Sequence, residues 1–245
     1  MRVLLLGGTA EGRALARRLH PQVDIISSLA GLVPNPALPA GPVRIGGFGG
    51  VDGLRRWLRE ERIDAVVDAT HPFAAAMTAH AIEVCVELGI PHLVLARPAW
   101  DPGAAMVVAS DTGAAQTVVQ QGYSRVFLTT GRSGTAAFAE SDAWFLIRAV
   151  TKPGGALLPR HHQLVLSRGP YRYDDEFALL CEHRIDALVT KNSGGDMTRA
   201  KLDAAAALNV SVVMVARPAL PAGVPHVGTV AEAADWVAGL AIAAG

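Results

Sequence analysis

What this chain of 245 residues has little of narrows its reading first. It has two cysteines, Cys85 and Cys181, well separated and inside helix-like patterns. No CxxC pair and no Cys/His cluster accompanies them, so no metal site is read. Two buried, reduced thiols suit a cytoplasmic protein. There is no excess of either charge: 22 Lys+Arg stand against 22 Asp+Glu. A general nucleic-acid or anionic-membrane surface would need a basic excess. A local basic cleft remains compatible. Long apolar runs are missing too. Val3–Leu6 stops at glycines and is too short for a signal peptide. Val230–Gly245 is interrupted by Glu232 and Asp235 and is too short to span a bilayer. The sequence is silent on oligomeric state; a monomer is compatible with it. What is abundant is apolar material, 51% of residues, enough for a sizeable core.

Short apolar runs alternate with helical patterns throughout. Strands are predicted at Val3–Leu6, Val23–Ile26, Val43–Ile45, Ala65–Val67 and His92–Leu95, with helices at Glu11–Leu19, Val51–Glu60 and Phe73–Leu88. The same style returns after Asp101-Pro-Gly103, with strands from Met106–Ala109 to Val212–Val215 and helices ending with Val230–Ala243. The fold class is therefore α/β: two Rossmann-like parallel-sheet domains in tandem, with a cleft between them. The expected division is 1–102 and 103–245. An internal similarity supports two halves. Arg62-Ile-Asp-Ala-Val-Val67 resembles Arg184-Ile-Asp-Ala-Leu-Val189, an offset of 122 residues (184 − 62). Ala96-Arg-Pro-Ala99 recurs as Ala216-Arg-Pro-Ala219, and Arg2-Val-Leu-Leu5 as Arg125-Val-Phe-Leu128, at nearly the same offset.

In open α/β sheets ligands bind outside the carboxyl ends of the strands, at the switch point. In the first half those ends carry Gly7-Gly-Thr-Ala-Glu-Gly12, Ser27-Ser28, Gly46-Gly-Phe-Gly-Gly50, Asp68-Ala-Thr-His-Pro-Phe73 and Arg97-Pro98. The opening turn is an irregular dinucleotide pattern. Gly7 and Gly8 permit a tight turn, and the following helix N-terminus offers N–H groups and a positive dipole end to a phosphate. Glu11 is an acid in that turn, expected to face the helix dipole or a sugar hydroxyl. A tight strand-to-helix turn with no ligand is the plainer alternative. The second strand end lacks the Asp or Glu that usually holds the ribose of NAD. Ser27-Ser28 stand there instead and would not repel a 2′-phosphate; Arg13 and Arg44 are nearby cations. NADP(H) is therefore favoured over NAD(H). Thr70 is a candidate helix N-cap, with Pro72 near the first helical position. His71 sits on the same rim.

The second half has two anion-friendly turns, Thr129-Thr-Gly-Arg-Ser-Gly134 and Lys191-Asn-Ser-Gly-Gly195. Between them Arg148, Lys152, Arg160, His161, His162, Arg168 and Arg172 concentrate basic charge, with Tyr171 among them. Such a cluster would attract a polyanion, and arginine favours bidentate carboxylate contacts.

Several segments together resemble one family. "LLLGGTAEGRALA", "DATHPFAAAMTAHA", "LARPAW", "VFLTTGR", "VTKNSGG" and "KLDAAAALNVSVVMVARP" are similar to the precorrin-6A reductases, a family that includes the cobalt-precorrin-6A reductases. The matching segments run from about residue 3 to residue 218. The resemblance implies NADPH-dependent reduction of precorrin-6A to precorrin-6B in cobalamin biosynthesis, by hydride transfer to a ring carbon of the tetrapyrrole. It implies two Rossmann-like domains, with NADPH mostly on the first and the macrocycle in the cleft. Carried over by motif, Gly7, Gly8, Thr9, Ala10, Glu11, Ser27, Ser28, Gly46, Gly47, Thr70, His71, Pro72, Phe73 and Arg97 would line the cofactor. Thr130, Gly131, Arg132, Ser133, Lys191, Asn192, Ser193 and Gly194 would line the polycarboxylate macrocycle, and Arg168 of the basic cluster is a further candidate for contact with it. Lys191, His71 and Tyr171 are the candidates for delivering a proton, with bulk water as the alternative. Two other classes stay open at this stage: a cofactor-free tetrapyrrole lyase or cyclase, and a non-enzymatic NADPH sensor.

Overall fold

The first apolar run forms strand β1 (Arg2–Leu6), and the twofold alternation of a strand sends its side chains to opposite faces. Val3 and Leu5 join one core with Leu15, Leu19, Ile25 and Val237. Leu4 and Leu6 join another with Leu54, Leu58, Val66 and Val84. A strand buried on both faces needs helices on both sides of its sheet, which is what the chain supplies. The computed structural model describes residues 1–31, 36–131, 134–152, 155 and 157–243. It divides into two units, 1–98 with 218–245, and 99–217.

In the first unit β1 leads through α1 (Ala10–Leu19) to β2 (Asp24–Leu29) and β3 (Val43–Ile45). Helix α2 (Gly50–Glu60), β4 (Ala65–Asp68), α3 (Ala75–Leu88) and β5 (His92–Leu95) follow. The last elements of the chain, β12 (His226–Val227) and α7 (Val230–Ala243), return here. Strand β12 pairs in parallel with β5, and the sheet order is β12-β5-β4-β1-β2-β3. The sequence reading gave residues 218–245 to the second domain. That tail belongs to the first unit because Ala233, Ala234 and Val237 of α7 complete the core beside Leu15 and Leu19.

The second unit begins with β6 (Met106–Val108), α4 (Asp111–Gln120), β7 (Arg125–Leu128) and β8 (Trp144–Ala149). It continues with β9 (His162–Leu166), α5 (Tyr173–Glu182), β10 (Ala187–Lys191), α6 (Ala200–Ala207) and β11 (Ser211–Val215). All pairings are parallel, in the order β6-β11-β10-β7-β8-β9. Phe127, Leu146, Leu180, Leu188 and Ala204 form its core under α5 and α6.

The two orders are the same pattern written twice. The repeated Arg-Ile-Asp motif explains part of it. Both arginines, Arg62 and Arg184, take left-handed backbone, with φ of 52° and 50°. Each ends a helix in the same way: Ile63 N–H donates to the Leu58 carbonyl and Ile185 N–H to the Leu180 carbonyl, both at 3.0 Å. Buried Ile63 and Ile185 then anchor the exit, and the aspartate N–H enters the sheet, Asp64 to Arg2 and Asp186 to Arg125, both at 2.9 Å.

Local expectations differ in four places. Strand β2 runs on to Leu29, so Ser27 and Ser28 lie inside it and are buried. Helix α3 starts at Ala75 with Ala74 at its N-cap, so neither Thr70 nor Pro72 opens it. The reason is Asp68, whose Oδ1 accepts from both the N–H and the hydroxyl of Thr70 and holds residues 70–74 in a turn. The helix expected from Thr198 is preceded by a short 3-10 turn, Asp196–Thr198. Cys181 is exposed; only Cys85 is buried, and burial with the nearby Asp68 charge pushes its thiol up to about 12.

Candidate active site

In each sheet the chain runs outward on one side of a central strand, β1 or β7, and then on the other. The switch points therefore fall between β1 and β4, and between β7 and β10. Those four strands end at Gly7–Gly12, Ala69–Phe73, Thr129–Gly134 and Asn192–Gly195, the segments singled out by their sequence.

In the first unit the opening turn is built by Thr9 and two glycines. Thr9 Oγ1 accepts from Gly12 N–H at 3.0 Å, capping α1, and donates to the Ala69 carbonyl at 2.7 Å. One hydroxyl thus ties the two switch-point turns together. Gly8 has φ of 119°, which disfavours any side chain, and no atom lies within 4 Å of where a Cβ would stand. Gly12 packs against Ala69 and Gly7. Ala10 begins the helix, and Glu11 beside it does not face a phosphate uncompensated. Its Oε2 accepts from Arg97 Nη1 at 2.7 Å, with both side chains mostly buried. Arg97 comes from the end of β5, so the acid of the turn is neutralised from a neighbouring strand end.

Arg44 is the cation at the ends of β2 and β3. Its Nη1 donates to Ser28 Oγ at 2.9 Å and to the Gly46 carbonyl at 2.8 Å; its Nη2 donates to the Gly47 carbonyl at 3.1 Å. Its guanidinium lies 3.9 Å from the Phe48 ring centroid. Burial lowers its pKa from 12.5. Ser27 Oγ is buried without a hydrogen-bond partner. Four glycines here, Gly46, Gly47, Gly49 and Gly50, have open space where a Cβ would stand. At the end of β4, Asp68 is 1% exposed and takes three donors: Thr70 twice on Oδ1, and Thr78 Oγ1 on Oδ2 at 2.6 Å. It holds the turn carrying His71, Pro72 and Phe73. His71 is exposed, and its Nδ1 accepts from Phe73 N–H at 3.3 Å.

In the second unit Lys191 ends β10, and its Nζ lies 3.3 Å from Asp111 Oδ2 at the start of α4. Thr130 is buried nearby. A Cβ on Gly134 would stand 2.5 Å from Thr130 Oγ1 and 2.8 Å from Asp111 Oδ1, so a side chain there would push Thr130 and Asp111 aside. Arg132 and Ser133 lie outside the described residues; Gly131 precedes them with φ of 77°. Asn192 does not offer its amide to a ligand. Its Oδ1 accepts from Trp100 N–H at 2.8 Å and its Nδ2 donates to the Trp100 carbonyl at 2.9 Å. Ser193 and Gly194 are buried.

The expected basic cluster is only partly available. Arg148 is 8% exposed and pairs with Glu176 through two hydrogen bonds of 2.9 and 2.6 Å, beneath the Tyr171 ring. A guanidinium in this position is withdrawn because its planar fork matches a carboxylate already inside the unit. The Tyr171 hydroxyl donates to the Ser167 carbonyl at 3.1 Å. Arg168 and Arg172 stay exposed. Sequence reasoning gave Asp68 no role beyond its place in a rim segment, and gave none to Trp100, Asp111, Glu176 or Lys201. Asp68 was legible as the polar end of an otherwise apolar strand; the others carry no local signal.

These features define a tandem, doubly wound α/β protein with a dinucleotide-type turn at its first switch point. The family described as "Precorrin-6x reductase CbiJ/CobK" matches residues 2–238, and the chain belongs to it. It is an oxidoreductase of cobalamin biosynthesis. A Mycobacterium tuberculosis (strain ATCC 25618 / H37Rv) protein named precorrin-6A reductase is 77% identical over 239 residues, covering 98% of each chain. A Rhodococcus erythropolis protein of the same name is 52% identical, covering 96% of this chain and 97% of that one. The solved structure of a CobK precorrin-6A reductase superposes with a TM-score of 0.89 at 36% identity, covering 98% of this chain and 96% of that one. No helix among the described residues is long and apolar enough to cross a membrane.

Proposed function

We propose that this chain reduces precorrin-6A to precorrin-6B with NADPH, the first unit holding the cofactor and the second supplying most contacts to the macrocycle. The observation that carries the cofactor choice is Arg44. It lies on β3 directly beside Ser28, next to the strand end where NAD-binding folds place a carboxylate, stacked on Phe48 and bonded to Ser28 and two carbonyls. A pre-ordered guanidinium loses little entropy on meeting a phosphate. The residues of the opening turn fit the rest of a dinucleotide: open backbone at Gly8, a helix N-terminus behind it, and an acid already balanced by Arg97.

NADPH, when bound, supplies the hydride. The protein's part is orientation and charge. Gly7 to Glu11 and Gly46-Gly47 border the cofactor, and Asp68 sets the turn that presents His71 and Phe73. Lys191, Thr130, Gly131 and Arg168 face the macrocycle and its carboxylates; Ser193 and Gly194 shape the turn beside them. Tyr171 is dropped as a proton donor, since its hydroxyl already donates to a carbonyl. Lys191 and His71 are the remaining side chains, separated by Lys191→Gln and His71→Asn: loss of kcat with NADPH affinity intact marks the donor. The protein is placed in the cytoplasm, where its two unpaired thiols stay reduced.

The test is a fluorescence titration with NADPH and with NADH. Tighter NADPH binding, reduced about tenfold or more in Arg44→Ala with NADH binding unchanged, is the expected result. Equal affinity for the two nucleotides in the parent protein would sink the reading of Arg44.

A further inference from the structure

The turn after β10 contains two consecutive glycines in left-handed backbone, Gly194 with φ of 65° and Gly195 with φ of 76°. Gly195 also has ψ of 161°, a region essentially closed to other residues. Such a segment has many accessible conformations and cannot hold one shape by itself. Something must fix it from outside.

One residue does so three times over. Trp100, 6% exposed, donates its backbone N–H to Asn192 Oδ1 at 2.8 Å and accepts from Asn192 Nδ2 at 2.9 Å. Its indole Nε1 donates to the Gly195 carbonyl at 2.9 Å. The bonds reach both ends of the Asn192–Gly195 segment. Lys201, 5% exposed, lies with Nζ 4.8 Å from the Trp100 ring and donates to the Thr198 carbonyl at 2.7 Å, bracing the next turn. Tyr171 N–H adds a bond to the Met197 carbonyl at 3.0 Å. The repeated motif makes the point sharper. Ala96-Arg-Pro-Ala99 is followed by Trp100, but its second copy, Ala216-Arg-Pro-Ala219, is followed by Leu220, which has no indole N–H to give.

We propose that Trp100 is a positioning residue for the macrocycle: acting through Asn192 and Gly195, it fixes the turn that follows Lys191 in the one shape that receives the substrate. This rests on the reading that the Lys191–Gly194 turn touches the macrocycle. Trp100 itself does not touch substrate in this account. Its contribution is to remove the conformational cost of ordering the turn at the moment of binding.

The experiment is steady-state kinetics of full-length Trp100→Phe with precorrin-6A and NADPH, alongside NADPH titration. Phenylalanine keeps the ring and both backbone bonds and deletes the indole donor. The KM for precorrin-6A should rise about three- to tenfold, the weight of one buried hydrogen bond, with kcat and NADPH affinity unchanged. Asn192→Asp, which keeps the acceptor and loses the donor to the Trp100 carbonyl, should give the same pattern if Trp100→Phe is poorly folded. Lys191→Gln separates this inference from the reading beneath it. If Lys191→Gln raises KM while Trp100→Phe and Asn192→Asp do not, the positioning role is overturned and the site stands. If none of the three changes KM, the macrocycle does not use this turn and both fall. A parallel loss of kcat and of NADPH affinity in both Trp100→Phe and Asn192→Asp would show general damage and would also overturn the proposal.

Discussion

The two units share a topology and differ at the points where chemistry would occur. Their sheets have matching orders and their Arg-Ile-Asp helix exits are superposable in hydrogen bonding. The carboxyl ends diverge. By the motif repeat, Leu5 corresponds to Leu128, and the strand registers pair these with Ser27 and Ile147. The next residue is Ser28 in the first unit and Arg148 in the second. Ser28 receives the guanidinium of Arg44 near an open glycine loop; Arg148 fills the same place itself and sinks onto Glu176. The second strand end is left open in one unit and closed in the other, which supports one cofactor position rather than two. Asp68 and Thr190 likewise occupy equivalent positions, the last residue of β4 and the last but one of β10. Asp68 shapes its own turn through Thr70, whereas the turn after β10 is shaped by Trp100. A repeated scaffold keeps its helix exits and strand pairings, while the switch-point residues change with the task.

The sharpest way to break the comparison is at the paired glycines. Gly8→Asp places a side chain at φ of 119° and an anion in the turn, so NADPH affinity should fall about a hundredfold or more. Gly131→Ala, in the corresponding turn of the second unit, should leave NADPH affinity unchanged. Fluorescence titration of both decides whether the cofactor is confined to the first unit.

Next comes the charge sealed into the second unit. Glu176→Leu would strand Arg148 as a buried cation, and breaking a buried pair in this way costs about 3–5 kcal/mol. Urea unfolding should show that loss, and the matching double variant Arg148→Met/Glu176→Leu should recover much of it. Recovery absent from the double variant would mean that packing rather than charge is at stake.

Lys201 gives the pH signature of the same cluster. Desolvation lowers its pKa from 10.5 to about 7, against the opposing pull of Glu176. Below that value the lysine is charged in both folded and unfolded chains, and burying the charge weighs fully against the fold. Between about 7 and 10.5 the folded protein holds fewer protons, so stability from this group rises with pH, on the order of 1.4 kcal/mol per unit at most. Lys201→Met lacks that slope. The variant should gain most over the parent protein at pH 6 and least at pH 9, by urea unfolding; a constant difference would rule out the titration.

The smallest effect concerns the thiols. Cys181 in the second unit is exposed and Cys85 in the first is buried with a thiol pushed up to about 12. A disulfide reagent should titrate one thiol in the native protein and the second only after unfolding, with activity unchanged after the first.

Much of this was legible in advance because it depends on short-range order. The apolar run Val3–Leu6, the glycines of the opening turn and the repeated Arg-Ile-Asp exit are all local. Each is fixed by neighbours within a few residues, so strand and helix positions came out close. The site was half legible for the same reason. Glycine turns at strand ends could be seen, but the partners of their charged residues could not. Glu11 meets Arg97, Lys191 meets Asp111, and Arg148 meets Glu176 across long stretches of chain. The sequence by itself determined two parallel α/β layers, the turns at their switch points and the family. Only the tertiary structure decided that the tail returns to the first sheet, that Arg148 is withdrawn from solvent, and that Trp100 holds the turn after Lys191. The physical reason is that periodicity and turn chemistry act through adjacent residues, whereas burial and ion pairing are settled by which distant segments the packed core brings together.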